Sequence, residues 1–252
     1  MISAARAPGQ GSPLGSGRGE ASTSAAVREM FAGVAHRYDF LNHFLSLGRD
    51  VAWRRAAARA LKDVLARPGS RVADLCCGTG DLSFCLGRHS QGLVMGADFC
   101  HPMLAIARGK GYAQGGRVHF LEADALHLPF GDASLDAVTS AFGFRNLANY
   151  GRGIEEMRRV LKSGGRLTIL EFSQVRWPVF GRLFRFYFRR ILPRVGAWIS
   201  GTEDPYSYLP DSVSIFPNQD ALAGMLRSAG FHNVIYRNFT GGVAALHVGE
   251  KV

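Results

Sequence analysis

Residues 71–82 read Arg71-Val72-Ala73-Asp74-Leu75-Cys76-Cys77-Gly78-Thr79-Gly80-Asp81-Leu82. The first six, 71–76, form the short apolar run of a buried strand, and the pattern beyond predicts a helix over 82–88. Between the two stands Gly78-Thr79-Gly80. A Gly-x-Gly between strand and helix lets the backbone approach a ligand, because side chains there would block it. A dinucleotide site wants a third glycine three residues on, for close helix packing under the pyrophosphate. Position 83 is Ser, which argues against a dinucleotide.

Outward from this turn the same rhythm repeats. Strands are expected over 93–97, 118–122, 135–140 and 166–171, with helices over 102–110 and 154–161 and a Gly164-Gly165 turn between. The C-terminal part continues with a helix over 218–229 and strands over 233–238 and 243–248. Gly241-Gly242 joins these last two strands, so they are expected to pair antiparallel at a sheet edge. Alternating strands and helices mean parallel βαβ units. The fold class is therefore α/β, a doubly wound, mostly parallel, seven-stranded sheet. Apolar positions at helical spacing (Val27, Met30, Phe31, Val34, then Phe40, Leu41, Phe44, Leu45, then a helix over 50–65) precede any strand. They read as an N-terminal helical lid over 26–66. Residues 26–252 are expected to be a single domain.

Two segments break the rhythm. Residues 1–25 are rich in Gly, Ser, Ala and Pro, with almost no large apolar residue. They cannot offset their ordering entropy by burial, so a disordered tail is expected. Residues 174–201 hold six arginines and no acid among Trp177, Phe180, Leu183, Phe184, Phe186, Tyr187, Phe188 and Ile191. They form a helical insertion before the last two strands. The 252 residues, 47% hydrophobic and 20% charged, exclude a wholly disordered chain. No apolar run is long enough to span a membrane. Four cysteines without zinc spacing exclude a disulfide scaffold and a metal site. Without a signal-peptide pattern, a cytoplasmic location is expected. The formal net charge of +10 asks for an anionic partner, which composition leaves open.

An acid at the end of the first strand (Asp74), followed by a glycine-rich turn, resembles the S-adenosylmethionine-dependent class I methyltransferases, a Rossmann-like fold. Their usual pattern is Asp-x-Gly-x-Gly-x-Gly; here Cys76 stands at the first glycine. Under that resemblance Asp74, Gly78, Thr79 and Gly80 build the cofactor turn. Asp98, ending the second strand, can accept both hydroxyls of a ribose. Asp124 and Ala125, after the third strand, can read the adenine edge. Ser140, ending the fourth, faces the methionine moiety. The alternative for Asp74, Asp98 and Asp124 is that they cap the following helices.

The chain also resembles a narrower family, the menaquinone and ubiquinone biosynthesis C-methyltransferases. The resemblance rests on Tyr38-Asp39-Phe40-Leu41-Asn42 through Gly48 to Trp53, on Phe142-Gly143-Phe144-Arg145-Asn146, on Arg159 to Gly165 with Leu170-Glu171-Phe172-Ser173, and on Tyr206-Ser207-Tyr208-Leu209, Phe216-Pro217, Ala229-Gly230-Phe231 and Thr240 to His247. It departs at Asp50-Val51 and at Ser163. It implies methyl transfer from S-adenosylmethionine to a ring carbon of a polyprenylated quinol. The overall look of the chain favours demethylmenaquinol over a 2-polyprenyl-6-methoxy-1,4-benzoquinol. By matching position Thr79, Asp98, Asp124, Ala125 and Ser140 contact the cofactor.

Carbon methylation needs alignment, a dry pocket and help with a phenol proton. Arg145 and Asn146, just past the fourth strand, are the best-placed polar pair for the phenolate oxygen. Arginine stays protonated, so its part is electrostatic. The alternative is an ion pair from Arg145 to Asp39 or Glu171. Tyr38 and Asp39, between the lid helices, either close over the site or form a plain turn. The 174–201 segment suits a membrane interface, where a polyprenyl tail resides, and a homodimer through it is the other reading. Peripheral contact with the inner face of the membrane is therefore expected. A nucleic-acid partner is disfavoured. Ser140-Ala141-Phe142-Gly143 lacks the Asn/Asp-Pro-Pro-aromatic motif of base N-methylation, and no cysteine follows Cys100 to serve C5-methylation.

Overall fold

The computed structural model describes residues 11–15, 19–35, 46, 48–113, 116–175 and 204–252. Its strands are β1 (Arg71–Leu75), β2 (Leu93–Asp98), β3 (Val118–Glu122), β4 (Leu135–Ala141), β5 (Leu161–Phe172), β6 (Phe231–Phe239) and β7 (Ala244–Lys251). They form one sheet in the order β3-β2-β1-β4-β5-β7-β6. The first five pair parallel, and β7 runs antiparallel to both β5 and β6. The doubly wound α/β class and the antiparallel final pair are thus as expected from sequence.

β1 shows why the strands were readable. Four of its five residues are buried, and alternate positions serve opposite faces. Val72 belongs to the buried cluster that holds Trp53, Ala57 and Leu61, while Ala73 belongs to the one that holds Ile154, Met157 and Leu222. On the first face lie α2 (Asp50–Ala60), α3 (Lys62–Leu65) and α4 (Asp81–Gly87). On the second lie α6 (Tyr150–Val160) and α8 (Gln219–Ser228), following α5 (His101–Ala113) and α7 (Asp204–Ile215) in the chain order. Asn149 and Asn218 cap α6 and α8, accepting the N–H groups of Arg152 and Ala221 at 3.1 and 2.9 Å. In β5 the register jumps from Leu161 opposite Leu135 to Arg166 opposite Ala137, so 162–165, with the Gly164-Gly165 turn, form a bulge.

Two expectations change. The lid over 26–66 is not one unit. The helix expected over 50–65 breaks at Leu61 and is a layer of the fold: Trp53, Ala57, Leu61 and Leu65 are buried against the sheet. Among the described residues of the lid, α1 (Glu20–Val34) lies over the cleft, resting on Cys100 and Met103 through Phe31, Ala32 and Ala35. The tail expected to be disordered over 1–25 is ordered at 11–15 and from 19 onward. α1 begins at Glu20, Thr23 is buried, and Ser12 is buried further upstream. Small polar residues here are held by hydrogen bonds, a route that composition does not reveal. Tyr38, Asp39, the apolar set at 40–45 and residues 176–201 of the insertion lie outside the described residues.

Candidate active site

The strand order reverses between β1 and β4, and in open α/β sheets the crevice beyond such a reversal takes ligands. A cleft of about 600 Å³ opens there. Its lining includes Cys76, Gly78, Asp98, Asp124, Ala125, Gly143 and Asn146, with Ser24 and Phe31 of α1 above.

The turn after β1 is built from left-handed backbone. Cys76, Gly78 and Gly80 have φ of 53°, 55° and 87°. Phe142, after β4, has φ 60°. Two non-glycine residues in this region therefore flank the crevice, at an order of 1–3 kcal/mol each. The two turns also approach closely. A Cβ on Gly143 would lie 2.3 Å from the Cβ of Cys76.

Asp98 pins the turn. Its Oδ2 accepts the Gly78 N–H at 2.8 Å and its Oδ1 accepts the Cys100 N–H at 2.9 Å. Burial raises its pKa, against the lowering effect of those N–H groups. Asp124 lies in the cleft and accepts the Leu126 N–H at 2.9 Å. Ala125 lines the cleft beside it. Thr79 is buried within the turn. Ser140 is fully buried at the end of β4, and its Oγ has no partner among the described residues.

Asp74 stands apart from the lining. It is buried behind the turn, where Ser83 Oγ donates to its Oδ2 at 2.6 Å. Its Oδ1 has no partner among the described residues, and burial raises its pKa to about 7. Ser83, conspicuous in sequence for replacing a glycine, thus anchors the strand-end acid. Burial also pushes the Cys76 and Cys77 thiols well above their ordinary values, so both stay protonated.

Arg145 and Asn146 share a short 3-10 turn, Phe144–Asn146, yet face different partners. Arg145 Nη1 donates to Glu171 Oε1 at 2.7 Å and to the Phe142 carbonyl, and its backbone N–H donates to Glu171 Oε2 at 3.1 Å. Its guanidinium lies 5.4 Å from the Phe172 ring centre. The ion pair to Glu171, one of the two sequence readings, is therefore formed. Asn146 lines the cleft, and its Oδ1 accepts the Tyr208 O–H at 2.8 Å.

Several contributors were not singled out as functional from sequence. Ser24 and Phe31 reach the cleft from α1. Arg54 joins Asp50 to Asp81 of the turn's helix, 3.4 Å away, and lies over the Phe142 ring at 5.7 Å. Asp50 is buried and accepts Ser46 Oγ at 2.6 Å, so this departure from the resembled pattern is built into the network. Tyr208 signalled itself only as part of a matching block.

Comparisons with known proteins agree with this geometry. A S-adenosylmethionine-dependent methyltransferase from Thermotoga maritima shares the fold, with a TM-score of 0.63 at 19% identity over 89% of this chain and 99% of that one. The demethylmenaquinone methyltransferase of Thermus thermophilus is 51% identical over 223 residues, 88% of this chain and all of the relative. The ubiquinone/menaquinone biosynthesis C-methyltransferase UbiE of Geobacter sulfurreducens is 42% identical, over 89% of this chain and 88% of the relative. The sequence profile of one family matches residues 19–251, which takes in every strand and helix of the sheet and the whole lining of the cleft, and the chain belongs to that family, the ubiE/COQ5 methyltransferases.

Proposed function

We propose that this chain transfers a methyl group from S-adenosylmethionine to a ring carbon of a polyprenylated quinol, and that the quinol is demethylmenaquinol. The observation that carries the choice of quinol is the 51% identity to a demethylmenaquinone methyltransferase over that relative's full length. The test is incubation with labelled S-adenosylmethionine and each of the two quinol types, followed by mass analysis. Label in the naphthoquinol product alone is expected; label in the benzoquinol product alone would overturn the choice.

The residues present fit the cofactor. Asp98 keeps lone pairs for hydroxyl groups after accepting two N–H groups, and the buried Ser140 Oγ awaits a partner. Asp98 would hold the ribose, Asp124 and Ala125 the adenine edge, and Ser140 the methionine end. Asp74, Gly78, Thr79 and Gly80 act by shaping the turn. The bound cofactor supplies a methyl group on a positively charged sulfur.

The protein supplies alignment and a dry, preorganised wall. Arg145 clamps the 142–146 turn to Glu171. Asn146 lines the cleft and would meet a ring oxygen there. Tyr38 and Asp39 belong to the same proposal as residues that close over the quinol. Burial holds the Cys76 and Cys77 thiols protonated, which makes them poor nucleophiles.

The 174–201 segment gives the substrate a route. Its six arginines and interleaved aromatics would rest on an anionic bilayer and admit a lipid-dissolved tail. No described helix is long and apolar enough to cross a membrane. Arg189→Glu with Arg190→Glu is expected to abolish co-sedimentation with vesicles containing anionic lipid. Unchanged partitioning, with loss of a dimer in light scattering, would assign the segment to a homodimer instead.

A further inference from the structure

Residues 11–15 precede the span matched by the family profile, 19–251. They nevertheless enter the wall of the active site. The Gly11 N–H donates to the Ala148 carbonyl at 3.2 Å and the Ser12 N–H to the Leu147 carbonyl at 2.8 Å. Leu147 and Ala148 both line the cleft. A Cβ on Gly11 would lie 1.9 Å from the Leu147 oxygen, so the segment docks only with glycine at this position.

This docking sets a chain of three buried side chains. Ser12 is 2% exposed, Tyr208 8% and Asn146 9%. Ser12 Oγ and the Tyr208 hydroxyl are 3.0 Å apart, and Tyr208 donates to Asn146 Oδ1 at 2.8 Å. With the phenol proton given to Asn146, the serine hydroxyl donates to the phenol oxygen. Burial raises the Tyr208 pKa, which keeps the phenol a donor. A carboxamide has one acceptor oxygen and two N–H donors. Once Oδ1 is committed to Tyr208, the NH₂ group is what Asn146 offers to the cleft.

We infer that Tyr208, held by the Ser12 strap, is a positioning residue that locks the Asn146 carboxamide with its NH₂ group toward the cleft, as a donor to an oxygen of the acceptor ring. This rests on the quinol reading of the site. A donor at that oxygen stabilises the phenolate over the phenol, so more of the bound ring is in its nucleophilic form at neutral pH. Among the described residues Arg145 and Glu171 are the charged groups that act on Tyr208, and they face each other. Asp98 and Asp124 are the acids lining the same cleft.

The test is the pH dependence of methyl transfer to demethylmenaquinol. In Tyr208→Phe the acid limb of kcat is expected to move up by about one pH unit, with about a tenfold loss at pH 7, the scale of one hydrogen bond to an oxyanion. Added to Asn146→Ala, Tyr208→Phe should give no further loss. Gly11→Ala, which lifts the strap and takes Ser12 away from Tyr208, should move the limb in the same direction. Affinity for S-adenosylhomocysteine should stay close to wild type in Tyr208→Phe, which leaves Asp98, Asp124 and Ser140 in place. A superimposable pH profile in Tyr208→Phe, or losses that multiply in the double variant, would overturn the inference. Failure of the wild-type chain to methylate any quinol would instead overturn the reading on which it rests.

Discussion

Asp74 is buried, and its Oδ1 has no partner among the described residues. Its pKa of about 7 lies above the value near 3.8 expected of the unfolded chain. Between those two values the native state holds a proton that the unfolded state has released, so stability falls as pH rises from about 4 to 7. Each pH unit in that window is worth about 1.4 kcal/mol. Asp74→Asn keeps an acceptor for Ser83 and removes the charge. It should gain about 3 kcal/mol on the wild type between pH 5 and pH 8, as read by urea denaturation. Parallel stability curves would contradict this account. Gly143 poses a steric question of the same local kind. Gly143→Ala drives a methyl group against Cys76, with 2.3 Å between the two Cβ positions. We expect a loss of about 1–3 kcal/mol, the usual scale of overpacking, and weaker S-adenosylhomocysteine binding in calorimetry. Cys76→Gly should restore both, because position 76 has φ 53° and needs no side chain there.

At the level of elements, the 3-10 turn after β4 is tied to β5 by one buried ion pair. The Arg145 and Glu171 side chains are 4% and 1% exposed. Removing one partner leaves a buried charge alone, so Arg145→Ala should lower stability by about 3–5 kcal/mol. Arg145→Met with Glu171→Met should lose less than Arg145→Ala does. If the single variant unfolded at the wild-type midpoint, the clamp would be dispensable. α1 carries a different expectation. Ser24 and Phe31 line the cleft, so S-adenosylhomocysteine should slow amide exchange across Glu20–Val34 more than across α8. β1, β2 and β4 were legible because each is a short, mostly apolar run closed by a turn. The placement of α2 was not, because amphipathic spacing states that a face is buried without stating against what. The site divides in the same way. Asp98, Asp124 and Ala125 follow strand ends, so their positions came with the strands. Asp74 was legible as a strand-end acid, but its withdrawal behind Ser83 was not. Asn146 and Tyr208 are 62 residues apart and Ser12 and Tyr208 are 196 apart, separations at which local patterns carry no information.

For the molecule as a whole, the arrangement separates two tasks. β3, β2, β1 and β4, contributed by 71–141, carry the cofactor side of the cleft. The strap, α1, the 142–148 turn and α7 close the other side from distant parts of the chain. Charge is unevenly spread too. Six of the arginines behind the net +10 fall within 174–201, so the anionic partner is sought at that segment rather than around the cleft. The two sides of the cleft therefore meet only when distant segments of the chain pack together.

The position of β7 has a temporal meaning. It follows the other six described strands in the chain, yet it lies inside the sheet, between β5 and β6. Until it arrives, β5 keeps an open edge of unpaired backbone groups along Arg166–Phe172. At its far end, Lys251 Nζ donates to the carbonyls of Arg158 and Leu161 at 2.8 and 2.6 Å, closing the end of α6. A nascent chain on the ribosome can thus assemble the cofactor half early, but the sheet is sealed only when its final eight-residue strand emerges. The interval between those events is when the exposed edge of β5 is open to pairing with another chain, and it is the stage at which chaperone engagement would matter most.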